Sequence, residues 1–138
     1  MKKIFSFIIL LLMIQIMEAQ DSWTVKLNNK VLLATTKEDT TVNTKKLNPL
    51  EWRKSGYLEV RYKEAEPGPW MRSFLFFDEN DNQLLNKDSV TYTKIANATL
   101  RKLFAGKKKM VIYVVIAPKN PMIMIRIRRM HLCTLLLP

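Results

Sequence analysis

Five side chains near the C-terminus are soft enough to hold copper(I): the thioethers of Met122, Met124 and Met130, the imidazole of His131 and the thiolate of Cys133. Met122 and Met124 are two residues apart, so on a strand they share a face. Four of the five methionines beyond residue 19 fall in the last 29 residues. A periplasmic copper(I)-binding protein is therefore one alternative reading. Against it, methionine is an ordinary filler of hydrophobic cores, and ligands strung along one strand do not converge on one ion. A blue-copper site needs two histidines and an all-Cys/His zinc site needs four ligands. One histidine and one cysteine exclude both. No cofactor is expected.

The same residues bound the catalytic options. On a predicted strand, His131 and Cys133 share a face about 6.5–7 Å apart, beyond hydrogen-bond reach. A buried, inert thiol and a satisfied histidine are expected. Asp78, Asn80 and Asn82 match the first oxygen positions of a calcium loop. The match fails where Gln83 replaces the glycine and Ser89 the bidentate glutamate. A turn built by Asp and Asn is the better account. Glu64 and Glu66 flank a loop that also carries Trp70, whose ring a sugar can stack on. A carbohydrate-binding module using Trp70 is the second alternative. Nothing in the spacing sets the carboxyl separation that glycoside hydrolysis requires. The chain is read as non-enzymatic.

Charge is distributed unevenly. From Gln20 to Asp88 there are eleven bases and eleven acids; from Ser89 to Pro138 there are ten bases and no acid. The net +10 of the chain beyond residue 19 therefore lies in its last fifty residues. Lys107, Lys108, Lys109, Arg126, Arg128 and Arg129 are the candidate contacts for an anionic polymer, an anionic surface or an envelope protein. The competing expectation is that these bases pair with acids of the first half, Glu59, Glu64, Glu66, Asp78, Glu79 and Asp81 among them. Lys107–Lys109 also follow a predicted helix, where bases complement the dipole. No nucleic-acid-binding motif is present.

Residues 1–19 read as a secretory signal peptide: Lys2 and Lys3, an apolar run from Ile4 to Met17, then Ala19. That run is shorter than the roughly 20 residues a spanning helix needs, so no transmembrane segment is expected after cleavage. No cysteine follows it to carry a lipid anchor. The pattern looks bacterial, and a secreted or periplasmic protein is expected. Asn97-Ala98-Thr99 is read as a chance glycosylation match.

Residues 20–138 are expected to form one domain. Ser22–Leu27 alternates Trp23, Val25 and Leu27 against polar residues, and Tyr57–Lys63 alternates Leu58, Val60 and Tyr62. Asn28-Asn29 suits a hairpin turn. Further strands are expected at Lys30–Thr35, around Thr40–Thr44, at Met71–Phe77, from Gln83 and at Val90–Ile95. Met110–Ala117 is expected to be buried on both faces. Met122–Leu137 is read as one long strand with a bulge at Arg128-Arg129. Asn48 caps a helical turn that Gly56 leaves, and Asn97 caps a short helix that Gly106 ends. Seven or eight short strands with one short connecting helix describe a small antiparallel β-sandwich, immunoglobulin-like or a similar Greek key. Trp23 and Trp52 belong to its core; Trp70 is the tryptophan expected to be partly exposed. If the last strand lay at an edge, a homo-oligomer would follow. The sequence reading ends at a non-catalytic binding or assembly module of the cell envelope.

Overall fold

A computed structural model describes residues 20–123 and 127–138. The leader reading, Met124 and Arg126 lie outside the described residues. Nine strands form two sheets: β1 Ser22–Leu27, β2 Lys30–Thr35, β3 Thr44–Lys46, β4 Tyr57–Lys63, β5 Trp70–Phe77, β6 Gln83–Lys87, β7 Tyr92–Ala96, β8 Lys109–Pro118 and β9 Arg128–Leu136. One sheet has the order β2-β1-β4-β7 and the other β3-β9-β8-β5-β6. All pairings are antiparallel except β3 beside β9. The chain crosses between sheets after β2, β3, β4, β6 and β7, which makes a Greek-key sandwich. Among the described residues no helix is long and apolar enough to cross a membrane.

Alternation decides which face goes inward. Trp23, Val25 and Leu27 of β1 and Leu58, Val60 and Tyr62 of β4 face Phe74 and Phe76 of β5, Ile112 and Val114 of β8 and Leu132 of β9. Asn28 and Asn29 adopt φ of 51° and 67°, the left-handed pair that a two-residue hairpin demands. The Asn48 side chain accepts from the Leu50 N–H at 2.9 Å and caps α1, Pro49–Arg53. That short helix buries Trp52.

Several local expectations need correction. Asn97 does not cap α2, Asn97–Leu103; Ala96 holds that position without a side-chain bond. Asn97 is instead fully buried and donates to Asn28 Oδ1 at 2.8 Å and to the Lys54 carbonyl at 3.2 Å. A glycan on Asn97 is therefore incompatible with the folded domain. Gly56 is not a helix exit. It sits where a Cβ would come within 1.8 Å of Asn28 Oδ1, so close approach explains the glycine. α2 ends at its C-cap Phe104, and Gly106, at φ +77°, belongs to the turn that follows, closed by the Lys107 N–H on the Phe104 carbonyl at 3.0 Å. The strand expected around Thr40–Thr44 begins only at Thr44, because Asp39 folds the preceding residues into a turn by accepting from the Thr41 and Val42 N–H groups.

β8 is not buried on both faces. Met110, Ile112 and Val114 are inaccessible, whereas Val111, Tyr113 and Val115 on the outer face are half-buried. The last strand begins at Arg128, not Met122, and its bulge is at Leu132 rather than at Arg128-Arg129. Ile112 pairs Cys133 and Tyr113 pairs His131, so Leu132 is the extra residue. Both Leu132 and Cys133 consequently enter the core. The Trp23 indole N–H, arriving from the other sheet, donates to the Leu132 carbonyl at 3.0 Å and satisfies a group at the bulge. β3 covers the end of β9, pairing with Thr134, Leu135 and Leu136, while among the described residues Arg128–Cys133 have a ladder partner on the β8 side alone.

Candidate binding cleft

The inward face of β5 reads Arg72, Phe74, Phe76. Periodicity thus sends a guanidinium toward the core at the end of the sandwich, where it is 7% exposed. Burial of a charge demands partners. Arg72 Nη1 lies 2.6 Å from Glu64 Oε1, just after β4, and Nη2 lies 3.5 Å from Asp21 Oδ2, just before β1. Its guanidinium also covers the Tyr62 ring at 5.2 Å, and that ring stacks on Trp23 at 6.0 Å. One side chain of the five-stranded sheet therefore ties down the ends of two strands in the other.

Asp21 also accepts from the Tyr62 hydroxyl at 2.6 Å and the Ala65 N–H at 2.9 Å. Burial opposes its charge. These hydrogen bonds and Arg72 outweigh it and hold the carboxyl below its usual range. Burial and the bond to Asp21 push the Tyr62 hydroxyl the other way, so it stays protonated. The Arg72 Nε–H, though buried, has no partner among the described residues.

The link from β6 to β7 roofs this end. The Val90 N–H donates to the Arg72 carbonyl at 2.9 Å, and the Thr91 carbonyl accepts from the Tyr62 N–H at 2.7 Å. The strap so formed, with the start of β5 and the end of β8, walls a cleft of about 510 Å³. Its lining includes Glu64, Trp70, Arg72, Ser89, Thr91 and Lys119. Trp70 is half-buried there. The cleft thus offers an indole, a carboxylate, a guanidinium, an ammonium and two hydroxyl-bearing residues. Aromatic surface with a few convergent polar groups is what a small-ligand site requires. Of the residues the sequence singles out, Trp70 and Glu64 line this cleft. Arg72 was not singled out; its signal is a base on the apolar face of an otherwise hydrophobic strand.

The C-terminal bases behave differently. Lys107 Nζ pairs with the buried Asp78 at 2.9 Å. Asp78 also accepts from the Asn82 and Asn80 N–H groups, each at 2.9 Å, and these bonds hold its carboxyl well below the usual range. The Asx turn expected at Asp78–Asn82 is what forms. The Lys108 and Lys109 N–H groups donate to Glu79. Arg128 pairs with Glu38 at 3.2 Å and Arg129 with Asp81 at 3.4 Å. Lys109 and Arg128 stand at opposite ends of the β8–β9 ladder, on the order of 20 Å apart at the usual rise of a strand. The five described bases of this set are not brought together.

Nor do the soft ligands converge. Met122 is 84% exposed in the loop before β9, Met130 and Cys133 face the core, and His131 lies buried on the opposite side of the sheet beside Tyr113. The bulge is the reason: it puts Cys133 on the face opposite His131, contrary to the sequence reading. Burial pushes the Cys133 thiol up to about 12. His131 Nε2 is 2.8 Å from Thr134 Oγ1, and its ring packs edge-on against Tyr113 at 5.8 Å. Burial lowers its pKa, against the pull of Glu38. Among the described residues no group of three or more His, Cys, Asp or Glu side chains is placed to hold a metal ion. No protein-family profile, curated protein or solved structure matches this chain.

Proposed function

We propose that this chain is a non-catalytic binding module of the cell envelope, secreted or periplasmic, that holds a short glycan in the Trp70–Arg72 cleft. The observation that carries this reading is the pairing of a half-buried indole with a buried, incompletely partnered guanidinium in one cleft of about 510 Å³. A pyranose ring presents C–H groups to an indole face and hydroxyls around its edge. Glu64 would accept from such hydroxyls, and Arg72, Lys119, Ser89 and Thr91 would supply donors. Binding rather than cleavage is favoured because Glu64 is the one carboxylate among the lining residues and is already engaged by Arg72. Glycoside hydrolysis uses two carboxyl groups flanking the bond, one of them able to give a proton. The leader-like residues 1–19 support the envelope placement.

The test is titration of the purified protein with cello-, manno- and chito-oligosaccharides, followed by tryptophan fluorescence and calorimetry. Saturable binding to one series is expected, with a spectral change that disappears in Trp70→Ala. Trp23 and Trp52 are buried and should report little. Binding that survives Trp70→Ala unchanged, or no saturable binding to any series, would refute the reading.

A further inference from the structure

The outer face of the four-stranded sheet carries four cations, three of them from the charge-balanced part of the sequence. Ladder register puts Lys26, Glu59 and Lys94 in one row across β1, β4 and β7. The next row is Thr24, Arg61 and Tyr92, and Lys63 lies beyond it opposite Ser22. Four bases thus share a face with one acid. Glu59 meets Lys94 at 3.8 Å, and Lys26, Arg61 and Lys63 have no ion-pair partner among the described residues.

Two of these cations are held in place by aromatic rings. The Arg61 guanidinium lies 4.4 Å from the centre of the Tyr92 ring, and Lys94 Nζ lies 4.5 Å from that of Tyr57. Such contacts hold flexible side chains against the sheet. The entropy otherwise lost on binding is then spent in advance. A shallow hollow of about 100 Å³ opens between Thr24, Lys26, Glu59, Arg61 and Tyr92.

We propose that this face binds a linear acidic polysaccharide laid across the strands, at a site separate from the Trp70 cleft. Charge complementarity selects a polyanion. Glu59 and Thr24 select among polyanions. Glu59, between Lys26 and Lys94, and Thr24, beside Arg61, present oxygens that accept from sugar hydroxyls, which a DNA strand does not offer. The exposed apolar area on this face is the Tyr57 and Tyr92 rings, already covered by cations, and the single Val31 opposite Lys26, too little to insert into a bilayer.

The test is calorimetric titration of the protein at low salt with polygalacturonate (carboxylate), heparin (sulfate) and single-stranded poly(dT). Binding to at least one polysaccharide is expected, weakening steeply with salt. R61E/K63E should weaken it by about tenfold or more, the scale of lost complementary charge. K108E/K109E should change it by less than about twofold, being outside this face. The milder R61Q/K63Q, checked by circular dichroism, answers any folding failure of the reversal and should weaken binding in the same direction. The carboxylate and sulfate arms identify the acidic group. Three results would overturn the proposal: tighter binding to poly(dT) than to either polysaccharide, no binding to either polysaccharide, or equal loss in K108E/K109E. Because none of these residues lines the Trp70 cleft, oligosaccharide binding there should persist in every variant.

Discussion

The outer faces of the two sheets handle positive charge in opposite ways. On the five-stranded sheet, Arg129 lies over Tyr113 at 4.2 Å and Phe77 at 5.1 Å while pairing with Asp81, and Arg128 meets Glu38. On the four-stranded sheet, Arg61 and Lys94 also lie over tyrosines, but one carboxylate serves four bases. The same cation–aromatic contact is thus internal packing on one face and a presented charge on the other. In the segment with all the net charge, Lys107, Arg128 and Arg129 are each answered by an acid from elsewhere in the chain. From the segment with balanced composition, Lys26, Arg61 and Lys63 share one face without an ion-pair partner among the described residues. Charge counted along a chain is not charge counted across a surface.

The comparison can be broken most forcefully where the sheets are tied together. Arg72→Met would leave Asp21 and Glu64 without their cation, both still in partial contact with water. A loss of about 2–3 kcal/mol is expected in urea unfolding, below the range for a fully buried pair, together with loss of oligosaccharide binding. Trp23→Phe keeps most of the ring but removes the donor to the Leu132 carbonyl; a buried unsatisfied acceptor costs about 1–3 kcal/mol. If Trp23→Phe is neutral in urea unfolding, that cross-sheet bond is not holding the bulge.

Arg129→Ala separates the two faces more finely. Losing a half-exposed guanidinium from two rings should cost about 1 kcal/mol, with polysaccharide affinity unchanged. A drop in affinity would show that the five-stranded face also presents its charge. His131 offers a smaller effect with a defined sign. Its pKa is lowered from 6.5, so the unfolded chain takes up the proton first and stability falls as pH drops below that value. His131→Gln should remove this limb and leave the later acid limb, set by Asp21 and Asp78, where carboxyls held low must be protonated. The smallest expected effect is none at all: Cys133, fully buried and with its thiol pushed up to about 12, should not react with maleimide in the native protein.

Much of the fold was legible because strand alternation is a local signal. Trp23, Val25, Leu58, Val60 and Tyr62 declared their faces from spacing alone. So did the Asn28-Asn29 turn, since few residues accept two successive left-handed conformations. What escaped was set by long-range partners. The bulge lies at Leu132 and not at Arg128-Arg129, because the register is decided by what β8 and the Trp23 indole require, 20 to 109 residues away. The same single-residue slip separates Cys133 from His131. Asn97 looked like a cap because its type suits one; its contacts with Asn28 and Lys54 come from other loops. The cleft was half readable, through Trp70 and Glu64. Arg72 needed the recognition that a strand's apolar face can end on a guanidinium.

The place of β9 has a consequence for how the domain comes into being. This strand, the last in the sequence, lies between β3 and β8. The five-stranded sheet cannot close until residues as far as Leu136 have been made, and β3 must wait some ninety residues for its only ladder partner. Contacts of such separation slow folding. Until β9 has been made, β8 has a ladder partner on one side alone, β5.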